Sequence, residues 1–77
     1  MPSKQAVHCV EWLDALSVAG WHDLTTAARE PAPTVLTYGV IIRRDKHAIT
    51  LAHAISGEQC LGYQVIPMGM VLKVTKV

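Results

Sequence analysis

The run Thr34–Arg44 (TVLTYGVIIRR) constrains this chain more than any other stretch. It is dense in β-branched residues, which suit a pleated backbone, and Gly39 sits at its centre. A glycine inside a strand marks a bend or a place where another backbone comes close. A short polar turn, Arg43–His47 (RRDKH), closes the run, and Ala48–Ile55 (AITLAHAI) follows it, so the pattern predicts a hairpin whose first strand is bent. Upstream, Ala6–Leu13 (AVHCVEWL) predicts a strand apolar on both faces, with Ala6, Val10 and Trp12 on one and Val7, Cys9 and Leu13 on the other. Downstream, Ser56-Gly57-Glu58 predicts a second turn, Tyr63–Ile66 a fourth strand, Pro67-Met68-Gly69 a tight break and Met70–Val77 a fifth strand.

Between the first two strands the pattern changes. Asp14–Gly20 predicts a turn or short excursion, and Asp23–Glu30 a single helical turn capped by Asp23 or Thr25. Pro31 and Pro33 stop it, because proline cannot continue a helix and biases the residue before it towards extended backbone. Five short strands with tight connections predict an all-β domain over residues 1–77, folded as a small, strongly bent five-stranded barrel. A flat open sheet is not expected, since a chain of 77 residues cannot cover its second face.

Composition narrows the function classes. The chain is 51% hydrophobic and 17% charged, which excludes disorder. Its most apolar stretch, Val35–Ile42, is interrupted by Thr37, Tyr38 and Gly39 and falls short of the roughly 20 residues a membrane span needs. The first residues, MPSKQAVH, lack the apolar stretch of an export signal, so a cytoplasmic location without membrane attachment is expected. A net charge of +1 gives no basic footprint of the kind that coats DNA. Cys9 and Cys60 are expected to be small free thiols. What is left is an apolar surplus with no membrane or large core to hide it, and self-association is the expectation that follows.

The residues offer little for catalysis. No nucleophile elbow, phosphate-cradling glycine loop or HExxH is present, and the six acidic residues are scattered, so no enzyme activity is expected. His8, Cys9, His22, His47, His53 and Cys60 form no pair at zinc-ligand spacing, so neither a metal nor a cofactor is expected. The turn is different. Arg43, Arg44, Lys46 and His47 place four potential cations within five residues. In one copy this reads as a solvated hairpin tip that keeps an edge soluble. In a symmetric ring the same turn repeats at one level, and guanidinium groups suit phosphate. Of the four aromatic residues, Trp12 belongs to a strand and is expected in the core. Trp21 follows Gly20 in a polar loop, where it either stacks on a base, covers a neighbouring subunit or simply packs.

Gly39, Ile41, Asp45, Ile49 and Leu51 keep the register of the first signature of Sm-like (LSm and Hfq-type) proteins, and Val65–Val71, with Gly69 in the glycine place, resembles the second. The start, VHCVEWLDA, is similar to the family's first strand. The likeness covers most of the chain, and the layout of Trp12, Gly20-Trp21 and Ile66-Pro67 resembles small phage-borne Sm-like proteins. The resemblance implies a bent five-stranded barrel whose fourth and fifth strands pair with neighbouring subunits in a closed ring. It also implies RNA binding through pockets between subunits, without catalysis.

The departures from the family shape the expectation of function. Where the RNA-binding members carry an asparagine after the acid and an arginine beside the second glycine, this chain has Ile49 and Met68. Where Hfq-type members carry a Lys-His pair, it has Pro67 and Met68. An apolar pocket leaves the donors of a base edge unpaired, so base reading in the usual pocket is not expected. The first expectation is therefore a small nucleotide-type or phosphorylated ligand bound between subunits. Arg43, Arg44, Lys46 and His47 would supply charge and Trp21 or Tyr63 stacking. In a phage setting, within the host cytoplasm, this would serve to sequester a host signalling nucleotide. A ring that binds RNA or single-stranded nucleic acid is the second expectation, and a structural or protein-interaction scaffold the third.

Overall fold

The computed structural model describes residues 5–77. The reading of MPSKQAVH as free of an export signal falls in part on residues 1–4, outside the described residues. In chain order the elements are β1 (His8–Leu13), α1 (Leu24–Ala28), β2 (Thr34–Arg44), β3 (Ala48–Ala52), β4 (Ile55–Ser56), β5 (Gln59–Cys60), β6 (Tyr63–Pro67), a 3₁₀ turn (Met68–Met70) and β7 (Val71–Lys76). The chain is mostly β. Five strands form one antiparallel sheet in the order β6-β3-β2-β1-β7, and β4 pairs with β5 in a separate two-stranded ladder.

The long strand β2 organises the sheet. Its first half, Thr34–Gly39, pairs with β1, and its second half, Val40–Arg44, pairs with β3. The change of partner falls at Gly39. A Cβ there would lie 2.7 Å from the Ala52 carbonyl oxygen and 3.2 Å from Leu51 Cβ, so the end of β3 crosses directly against its backbone. Two bulges add bend and twist, one at Ile42 in β2 and one at Leu72 in β7, where the pairing skips a residue.

Directly opposed residues share a face, and the apolar ones face inward. Trp12 lies between Val35 and Val71, Val10 opposite Val74, Ile41 opposite Leu51 and Ile49 opposite Ile66. Val10, Trp12, Ile49, Leu51 and Ile66 form the buried cluster, with Val35, Ile41, Met68, Val71 and Val74 packed against it. A polar thread crosses the concave side: Trp12 Nε1 donates to Thr37 Oγ1 at 3.0 Å, and Thr37 donates to Gln64 Oε1 at 2.9 Å. Gln64 is on β6 and Thr37 on β2, with β3 between them. In a flat sheet those strands stand about 10 Å apart, so the bond exists because the sheet curls.

Two expectations need correction. The main sheet has five strands and is strongly bent, but it does not close: β6 and β7 are unpaired edges, and the strands number seven among the described residues. The stretch Ala48–Ile55 is not one strand either. It leaves the ladder after Ala52, because Gly62, at φ +75°, turns the opposing chain beside the His53 ring. The hairpin then continues irregularly through His53 N–H to Gly62 O (3.0 Å) and Leu61 N–H to Ala54 O (2.9 Å). It ends in the small β4–β5 ladder across Gly57, at φ +59°.

The β1–β2 connection is long and holds the expected helical turn. Asp23 is its cap, accepting from Thr26 N–H at 3.1 Å, and the helix stops at Ala28, ahead of Pro31 and Pro33. Asp14 N–H donates to Pro33 O at 3.0 Å and clamps the root of this arm. Every residue from Ala15 to Ala32 is exposed. The radius of gyration, 16.1 Å, exceeds the roughly 11.5 Å usual for this length, and the long dimension is 58 Å against 22 and 21 Å. No helix among the described residues is long and apolar enough to cross a membrane.

Candidate functional site

The cationic turn forms at the tip of the β2–β3 hairpin, and Asp45 builds it. Its Oδ1 accepts from the backbone N–H groups of His47 (2.8 Å) and Ala48 (3.0 Å), while its Oδ2 accepts from Arg43 Nε at 2.7 Å. Asp45 N–H in turn donates to Ala48 O at 3.1 Å. An aspartate bonding backbone donors two and three residues on is the usual chemistry of a tight turn. These bonds to Arg43, Ala48 and His47 lower the Asp45 carboxyl from 3.8 to about 2. Asp45 is expected from the sequence only as the acid of the first signature, and its role as the fastener of the turn goes beyond that expectation. The spacing Asp45–His47–Ala48 was the signal that could have revealed it.

The four basic side chains do not act as one cluster. Arg43 is held by Asp45 in the one ion pair among the described residues. Arg43 pairs in register with Thr50 and Arg44 with Ile49, so the two guanidiniums leave β2 on opposite faces. Arg44, Lys46 and His47 are exposed. The turn also has a fixed neighbour, because Met68 N–H donates to His47 O at 3.0 Å and Ala48 pairs with Pro67. The hairpin tip and the β6–β7 connection, about 20 residues apart in sequence, therefore touch.

The two aromatic candidates lie elsewhere. Tyr63 pairs with Ala52 at the far end of the β3–β6 ladder, about 13 Å along the strand from Ala48. Trp21 is wholly exposed in the arm and packs against nothing among the described residues of its own protomer. Within one copy, neither stands beside the turn as a stacking partner. Trp12 is buried in the core as expected. Tyr38 sits on the outer face opposite Cys9, where a hydrogen bond to the thiol and then its charge push the phenol up from its ordinary pKa.

A second concavity, of about 580 Å³, opens within the arm and is lined by Leu16, Val18, His22, Thr26, Ala27 and Pro31 among others. It is mostly apolar and holds no cluster of cations. Among the described residues, no three His, Cys, Asp or Glu side chains gather in a way that would hold a metal ion. Ile49 is fully buried and Met68 half-buried, so the two positions that would carry base-reading groups in the family resembled belong here to the core and its margin. Comparison with protein-family models, with curated proteins and with solved structures returns no match.

Proposed function

We propose that this chain is a non-enzymatic, Sm-like module that assembles into a ring of identical copies and binds a nucleotide-type, phosphorylated ligand between them. One observation carries the reading: the two segments that resemble the family signatures, 39–51 and 65–71, meet at the Met68–His47 hydrogen bond. The strand order supports it as well. The fourth and fifth strands of the main sheet in chain order, β6 and β7, are the two edges left unpaired. Tyr63 and Val65 on β6 and Leu72 on β7 are exposed apolar residues on those edges, an arrangement that pairing between copies would cover.

The ligand class follows from what the site offers and what it lacks. Exposed Arg44, Lys46 and His47 supply charge, which suits phosphate, and a closed ring would repeat that charge once per copy. With Ile49 and Met68 in place of polar readers, little is available to recognise a base edge by hydrogen bonds. Binding of this kind holds a ligand without turning it over, which fits sequestration.

Native mass spectrometry at micromolar concentration, with titration calorimetry against mono-, di- and cyclic nucleotides, tests the proposal. The expected result is one closed stoichiometry above the monomer and heat from at least one nucleotide. A folded lone protomer, or flat traces across the panel, overturns it. Tight binding of A-rich or U-rich oligonucleotides that weakens steeply with salt would replace it with an RNA-binding ring. A stoichiometric protein partner without nucleotide would replace it with a scaffold.

A further inference from the structure

The arm Asp14–Pro33 is the largest part of the molecule for which the fold gives no use. It buries no side chain, its Trp21 is wholly exposed and Leu24 is 86% exposed, although both are costly to leave in water. The chain exposes 6199 Å², where about 4,600 Å² is usual for its mass of 8.4 kDa. The excess, about 1,600 Å² on one chain, is about twice the roughly 800 Å² that each partner gives to a standard interface, as a ring with two contacts per copy requires.

Charge points to the occupant. The arm carries Asp14, Asp23 and Glu30 against Arg29, a net of −2. The whole chain is +1, so the remainder is +3, with Arg43, Arg44 and Lys46 at the turn and Lys73 and Lys76 on β7. An acidic, apolar arm and a basic body on the same chain are complementary between copies. A contact of that kind joins two different surfaces, and it closes when the copies form a ring.

Topology gives the contact its place. The arm is rooted at Leu13 and Thr34, and Trp12 pairs with Val71, so the root lies beside the first residue of β7. The basic turn lies beside the last residue of β6, through Ala48 and Pro67. Every pairing in the sheet is antiparallel. If β7 of one copy meets β6 of the next in the same sense, the start of β7 faces the end of the neighbouring β6. The root of the arm then stands about three strand spacings, or roughly 15 Å, from the neighbour's turn.

We infer that in the assembled protein the arm of each copy lies over the Arg43–His47 turn of the next, so that the ligand site is shared: Trp21 comes from one copy, Arg44 and Lys46 from the other. This inference rests on the ring reading above and names the partner of its site. It accounts for a turn with no aromatic residue beside it and for an aromatic residue with nothing to touch.

The test needs no ligand. In a Cys9→Ser/Cys60→Ser background, single variants Trp21→Cys and Lys46→Cys, both at exposed positions, are co-assembled and treated with a short bismaleimide. The subunit number is read by native mass spectrometry. The expected product is a covalent heterodimer joining Trp21→Cys to Lys46→Cys. Acrylamide quenching of Trp21, obtained by subtracting the signal of a Trp21→Phe variant, is expected to be lost on assembly. A ring with no such heterodimer and with Trp21 still freely quenched overturns the shared site and leaves the ring standing. A product joining only Trp21→Cys to itself also overturns it, since the arms would then pack on each other. A lone protomer removes the ring, and the shared site with it.

Discussion

The bent sheet and the arm are built from similar residues to opposite effect. In the sheet, apolar side chains alternate with the pleat and meet across the strands, so Val10, Ile49, Leu51 and Ile66 are completely buried. In the arm, Leu16, Val18, Trp21 and Leu24 follow no period that a five-residue helix could turn to one side, and all four are exposed. Hydrophobic content alone therefore does not make a core. Register does, because it brings apolar groups from different strands to the same face.

The same truncation made in both regions should have very different effects. Leu51→Ala removes a fully buried side chain and is expected to cost ~2–5 kcal/mol. A 77-residue chain has only about 4–12 kcal/mol of stability in total, so this variant should be largely unfolded or close to it. Leu24→Ala in the arm should change the stability of the protomer by less than ~0.5 kcal/mol. Urea unfolding followed by circular dichroism, below the concentration of assembly, measures both. Equal losses would mean that the arm packs on its own sheet.

Two glycines sharpen the same contrast within the sheet and its connections. Gly39→Ala drives a methyl group into the Ala52 carbonyl and Leu51, and the expected loss is ~1–3 kcal/mol. Gly69→Ala meets nothing within 4 Å and should leave the midpoint within ~0.5 kcal/mol of the parent. If Gly39→Ala were as mild as Gly69→Ala, the close crossing of β2 by β3 would not be what bends the sheet.

Much of this was legible in the sequence. Thr34–Arg44 is a strand at the boundaries its β-branched run suggests, Gly39 is a close approach, Trp12 is core and Asp23 is the helix cap, because each depends on local chemistry. Three features were not legible, and each depends on a partner distant in sequence. The break after Ala52 is imposed by Gly62 on the opposing chain. The partners that Arg43 and Arg44 meet on β3, Thr50 and Ile49, depend on a register that the bulge at Ile42 shifts. The isolation of Trp21 from the turn depends on how the arm leaves the sheet, and no periodicity encodes that. The open edges are a further case, since closing a sheet needs matched edges, and local pattern shows only that strands exist.

Excising the arm is a milder test. Replacing residues 15–32 by a short turn keeps the Leu13–Thr34 pairing and removes no buried side chain. Shortening the closed loop from about 20 residues to about four should stabilise the protomer by ~1 kcal/mol, through a smaller loss of chain entropy. Thermal unfolding at low concentration measures it. A lowered midpoint would show that the arm supports its own sheet after all.

The smallest effect concerns the turn. The Asp45 carboxyl is held at about 2, below its ordinary 3.8, chiefly by the Arg43 hydrogen bond and then by the amides of Ala48 and His47. A carboxylate with a depressed folded pKa contributes stability that is fully present above the unfolded value and lost as pH falls through the folded one. The turn should therefore stay fastened at pH 5 and above and loosen between about pH 4 and 2. It should do so with little change in the core, because Asp45 is exposed and its side-chain hydrogen bonds reach only Arg43 and the amides of His47 and Ala48. In an NMR titration the His47 and Ala48 amides should shift together with a midpoint near 2. Asp45→Asn should abolish the shared transition, and with it the pairing that holds Arg43 away from any bound phosphate.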